Sequence, residues 1–142
     1  KLLISLSSEA SKVDEKNLEK AIGLVKQRAN TVKDLWMLSE YFFIAPNIYE
    51  SKSVKKINKP GLSKILAKIA DLADLKTTSK ESFVLEMKNW GERNGISSGK
   101  IMMTIRVVMV GSLSGVDLQE IITFLGLESV KERAKKAIQK IL

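Results

Sequence analysis

Two arginines stand where a guanidinium could do recognition chemistry. Arg106 is the only charged residue between Ile101 and Val110, the most apolar stretch of the chain. A lone charge in such surroundings is costly unless its head reaches water or a partner. It therefore either snorkels or pairs, or it is held rigidly to present donors to a ligand. Arg28 lies just before Asn30-Thr31, at the predicted end of a helix. Its ordinary role there is to face solvent or the helix C-terminal carbonyls. Its alternative role is again recognition.

The rest of the sequence favours binding over catalysis. The 142 residues contain no histidine and no cysteine. A Ser-His-Asp or Cys-His hydrolase is therefore impossible, and disulfides and thiolate metal sites are excluded. There is no glycine-rich phosphate loop and no carboxylate pair at ligand spacing. The acidic residues lie beside lysines, as on solvated helix faces. The formal net charge is +8 and the pI about 9.7. Such an excess suits a polyanionic partner, although a lysine-rich surface alone produces the same numbers. Lys52, Lys55, Lys56 and Lys59, with the lysines of the last helix, read as solvated faces. On RNA they become phosphate contacts, which add affinity without sequence information. Trp36, Tyr41, Phe42 and Phe43 could stack on bases, but their helical spacing favours a core role. No apolar run is long enough to span a bilayer, and the start Lys1-Leu2-Leu3-Ile4 is no signal peptide. The chain reads as a fragment whose first residue was once joined to something else.

The elements that must carry these residues are helical almost throughout. Leu18, Ile22 and Val25 recur at helical spacing. Thr31 with Asp34 reads as the cap of the next helix, which stops before Pro46. Residues 49–60 are polar and basic, with room for one short helix, and mark a subdomain boundary. Periodicity returns with Leu62, Ile65, Leu66, Ile69 and Leu72. Thr78 and Glu81 form a predicted capping box for a helix burying Phe83, Met87 and Trp90, closed by Asn94-Gly95. The apolar helix of Arg106 follows, then a loop over 112–117, a helix with Leu118, Ile121, Ile122 and Leu125, and a closing Gly126. In the last helix Val130, Ala134, Ala137, Ile138 and Ile141 face in, while Lys131, Arg133, Lys135, Lys136 and Lys140 face out. Sustained period-two alternation is absent, so the expected fold class is all-α.

Two stretches carry a family resemblance. LVKQRANTVKDLWMLSEYFF and GISSGKIMMTIRVVMVGSLSGVDLQEIITFLGLESVKERAKKAI, in this order, resemble the C-terminal anticodon-binding region of bacterial glutamyl-tRNA synthetases. The first matches a helix ending in arginine followed by a capped helix with an aromatic pair. The second matches a Gly-Lys entry, an arginine-bearing helix, a glycine loop, a Leu-Gly helix and a final arginine-bearing helix. The resemblance implies a helical-bundle cage of two small packed subdomains, residues 1–58 and 59–142, that receives the anticodon loop of glutamate tRNA. It implies that Arg28 reads the third anticodon base, taking cytosine, whose O2 and N3 accept, over guanine, which would turn donors toward it. It implies that Arg106 contacts the first anticodon base, with Gly115, Val116 and Leu118 packed against it. Lys100 is counted among the RNA contacts.

Two departures from the family pattern concern proline. Thr104 stands two residues before Arg106 where the family usually has proline, and Val116 where the loop often has it. The family's catalytic motifs are absent from these residues. The fragment itself is then expected to need no cofactor, with ATP and magnesium belonging to the parent's catalytic domain, and to be cytoplasmic, monomeric and independent of membranes. Two alternatives remain at the level of sequence: the related cage of a class I lysyl-tRNA synthetase, and a helical protein-interaction domain with an incidental basic surface.

Overall fold

The computed structural model describes residues 40–113 and 117–142, together with Asn17, Glu19, Lys20, Ala21 and Gly23. The chain divides into two compact units, Lys1–Ala45 and Pro46–Leu142. Every regular element among the described residues is helical, as the periodicity predicts.

In the first unit, Asn17, Glu19, Lys20, Ala21 and Gly23 are helical and Ala21 is fully buried. A 3-10 turn, Glu40–Phe42, precedes the end of the unit. Phe42 is buried and its ring lies 4.7 Å from that of Tyr41. The predicted core role of Phe42 is therefore the one it has.

The second unit contains α1 (Ser51–Ile57), α2 (Leu62–Asp74), α3 (Phe83–Arg93), α4 (Ser98–Val110), α5 (Leu118–Leu125) and α6 (Leu127–Ile141). α4 packs against each of the other five, and the most extensive contact runs between α2 and α6. This explains the composition of α4. A helix touched on nearly every side must be apolar nearly all round, and Ile101, Ile105, Val107, Val108 and Met109 are fully buried. α2 and α6 instead have narrow apolar stripes. Leu62, Ile65, Leu66, Ile69 and Leu72 of α2 are all buried. They face Val130, Ala134 and Ala137, whose small side chains let the helices approach closely. Lys131 joins the pair at one end, reaching Asp74 at 3.2 Å and Glu128 at 3.1 Å.

Residues 49–60, read from sequence as a polar boundary, include α1, which belongs to the unit beginning at Pro46. Ser53 and Ile57 of α1 are buried, one helical turn apart. The lysines between them are exposed and give the segment its loop-like composition.

Local signals fix most helix ends. Ser97 caps α4 by accepting from the N–H of Lys100 at 3.2 Å, and Asp117 caps α5 through Glu120 at 3.3 Å. α3 ends in a Schellman motif: Gly95 has φ +71°, its N–H donates to Glu92 and that of Ile96 to Gly91. The start of α3 differs from expectation. Ser79 and Ser82 exchange side-chain and backbone bonds at 3.2 and 3.1 Å, and Ser82 donates to Glu86 at 2.8 Å. The reciprocal cap thus lies one residue beyond Thr78-Glu81, and the buried Thr78 hydroxyl has no hydrogen-bond partner among the described residues.

Candidate nucleic-acid interface

Arg106 is half-buried on a face of α4 that borders a cavity. The cavity measures about 260 Å³ and is lined by Met102, Met103, Arg106, Leu113 and Leu118. Three of these come from α4 at positions i, i+1 and i+4, so they share one side of the helix. Leu113 and Leu118 come from the two ends of the loop after α4. A guanidinium supplies only donors, in a planar fork. Set among four apolar side chains, it suits a flat, partly apolar group with acceptors on one edge. A nucleobase has that chemistry. The methionines add walls that adapt in shape.

The structure thus brings Arg106 and Leu118 together at one cavity. Lys100 is elsewhere on α4. It is half-buried, and its ammonium donates to the carbonyl of Pro60 at 2.9 Å. Six residues of helix separate it from Arg106, roughly 9 Å along the axis and on a different face. Arg28, Gly115 and Val116 lie outside the described residues.

The departure at Thr104 has a clear local form. Thr104 is fully buried and its hydroxyl donates to the Lys100 carbonyl at 2.8 Å. α4 runs unbroken from Ser98 to Val110. Threonine keeps an N–H for the helix ladder that proline would lack.

Three residues that tie the end of α4 and the residues after it to other elements escape a reading of the sequence as site residues: Gly111, Ser53 and Arg133. Gly111 ends α4 with φ +81°, and its N–H donates to Val107 at 2.8 Å. The segment before α1 crosses directly over it, with the N–H of Glu50 donating to the Gly111 carbonyl at 2.8 Å. Ser53 then holds the next part of the loop. Its hydroxyl accepts from the N–H of Leu113 at 3.1 Å and donates to the Glu50 carboxylate at 2.9 Å.

Arg133, expected to face out, is 4% exposed. Its guanidinium donates to the carbonyl of Met109 in the last turn of α4. Burial pushes its pKa down to about 10, and the nearby Tyr49 phenol opposes that shift. Burial likewise raises the pKa of Tyr49, against the attraction of Arg133. The signal was available: Arg133 lies three residues after Val130 and four before Ala137, on the inward stripe of α6. Residue type argued for the surface, spacing for the interior.

Comparison with known proteins places this geometry. The sequence profile of the anticodon binding domain family matches residues 2–138. The glutamate–tRNA ligase of Christiangramia forsetii is 31% identical over 137 residues, which cover 96% of this chain and 27% of the ligase. That of Porphyromonas gingivalis is 39% identical over 131 residues, 89% of this chain and 25% of the ligase. A crystal structure of a glutamate tRNA ligase from Elizabethkingia meningosepticum in complex with its amino acid aligns with a TM-score of 0.81 at 28% identity. That alignment covers 99% of this chain and 28% of the ligase chain. The chain therefore spans about a quarter of the length of the relatives it matches. With the helical fold, the arginine-bearing cavity and the matched profile all in agreement, the chain belongs to the anticodon binding domain family.

Proposed function

We propose that this chain is the anticodon-recognition region of a glutamate–tRNA ligase and binds the anticodon loop of glutamate tRNA. The observation that carries the reading is the cavity beside Arg106, where a donor-only guanidinium stands among four apolar side chains. Arg106 takes the acceptor edge of the first anticodon base, and Leu118, with Gly115 and Val116 of the loop, packs against that base. Arg28 selects cytosine over guanine at the third anticodon position and so separates glutamate tRNA from glutamine tRNA. Lys100 adds a cationic contact to the RNA backbone, since an ammonium bonded to one carbonyl retains further donors. The exposed lysines of α1 supply affinity that is independent of sequence.

Transfer of glutamate to tRNA, with its requirement for ATP and magnesium, belongs to parts of the parent enzyme outside these residues. The parent works as a cytoplasmic monomer. No helix among the described residues is long and apolar enough to cross a membrane.

The test is titration of this chain with glutamate tRNA at two salt concentrations. Binding that weakens as salt rises is expected, and salt-independent binding or none overturns the reading. In the intact ligase, Arg28→Gln should raise charging of glutamine tRNA relative to glutamate tRNA. An unchanged ratio overturns the role given to Arg28.

A further inference from the structure

We infer that Arg133 is a positioning residue for the Arg106 cavity, acting on base selection through the end of α4 without touching RNA. The inference rests on the reading of that cavity as a base-binding site.

Two backbone groups at the end of α4 lack their helical partners. Were α4 to continue for one more turn, the carbonyl of Met109 would accept from the N–H of Leu113, four residues on. The chain turns left-handed at Gly111 instead, and that bond is not made. Each orphaned group finds a side chain from far away in sequence. The Met109 carbonyl takes the guanidinium of Arg133, and the Leu113 N–H takes the hydroxyl of Ser53. Arg133 and Ser53 thus occupy the two halves of a single missing helical bond.

The arrangement has a cost that points to a purpose. Among the described residues Arg133 forms no ion pair, and burial disfavours its charged form. A shape-matched apolar side chain would fill the space without that penalty. What only a long donor supplies is satisfaction of a carbonyl at the negative end of a helix. With it, the helix stops where it does, and Leu113 and Leu118 both line the cavity. Without it, the Met109 carbonyl is free to recapture Leu113. α4 then lengthens by a turn, and Leu113 leaves the wall beside Arg106. Ser53 opposes the same slippage from the other side.

The experiment compares the wild-type chain with Arg133→Met and Ser53→Ala. Each is titrated with glutamate-tRNA anticodon hairpins bearing a pyrimidine or a purine at the first anticodon position. The readout is the ratio of the two dissociation constants, measured on protein shown by circular dichroism to be folded. Wild type is expected to discriminate. Both variants are expected to lose discrimination by about tenfold, the effect of one hydrogen bond of ordinary strength. Their salt dependence should stay as in wild type, because neither residue meets a phosphate. A folded Arg133→Met chain that discriminates like wild type overturns the inference. If Arg133→Met does not fold, undiminished discrimination by Ser53→Ala overturns it. A wild-type chain that binds both hairpins equally overturns the base-binding reading of the cavity, and this inference with it.

Discussion

A Cβ added to Gly111 would lie 2.9 Å from the carbonyl oxygen of Ile48, and 3.0 Å from the Cβ of Pro46. The first of these neighbours is backbone, so it cannot swing aside. Gly111 also has φ +81°, where an L side chain costs about 1–2 kcal/mol. Conformation and crowding therefore act at the same residue. Gly111→Ala is expected to destabilise the chain by more than that conformational cost alone. Gly95→Ala is the control: its φ is +71° but nothing lies within 4 Å of the added methyl. Urea denaturation of both variants should place Gly111→Ala clearly lower.

Ser53→Ala leaves the N–H of Leu113 without its partner across 60 residues of sequence. A donor left unsatisfied in a partly buried site costs about 1–3 kcal/mol. The expected result is a fall of that size in unfolding free energy. A change within a few tenths of a kcal/mol would show that water replaces the hydroxyl.

Tyr49 and Arg133 give opposite responses to alkali. The folded chain holds the Tyr49 proton more tightly than the unfolded chain, whose phenol has its ordinary pKa of 10.0. Its stabilising contribution is thus complete below pH 10 and is lost as pH rises through the raised folded value. Arg133 runs the other way. Burial holds its pKa at about 10 when folded, below the ordinary guanidinium value of the unfolded chain, so stability from this group grows as pH rises above about 10. Tyr49→Phe removes the first effect, and because Tyr49 opposes the lowering at Arg133 it does not diminish the second. The variant should gain stability relative to wild type as pH is raised above 10, as read from melting temperatures across that range. At neutral pH it should lose little, because the buried hydroxyl of Tyr49 makes no hydrogen bond among the described residues.

Cationic side chains divide by what they do to binding. Arg106→Gln should weaken tRNA binding by about 1–3 kcal/mol and relax selection at the first anticodon position. Lys55 and Lys140 border a separate groove of about 460 Å³ between α1 and the end of α6. Lys55→Gln and Lys140→Gln should each lower affinity for all RNAs alike and reduce the salt slope by about 0.7 to 0.9. Fluorescence anisotropy at several salt concentrations separates the two patterns.

Period and capping made most of the fold legible. The stripe of α2 and the closing Gly95 follow directly from residue spacing and type. Arg106 and Leu118 were nameable because an isolated charge in an apolar helix is conspicuous, and because a motif surrounds them. Arg133 was passed over despite its place on the inward stripe, since its residue type argues for the surface and its partner is a carbonyl 24 residues away. Ser53 was hidden in the same way, by a lysine-rich helix whose inward face is only two residues wide. Long-range hydrogen bonds to orphaned backbone groups leave no periodic trace. The α3 cap shows a milder version: Thr78-Glu81 fits the local rule, yet it is Ser79 and Ser82 that exchange the bonds.

The end of α4 also imposes an order on synthesis. Its carbonyl at Met109 waits for a side chain made 24 residues later, on the last helix of the unit. A nascent chain can carry the whole of α1 through α4 and still lack the group that meets this carbonyl. The bond that closes the end of α4 therefore forms only after α6 has been made. Ribosomal output that stalls before α6 would lack both that guanidinium and the helix against which α2 packs most extensively.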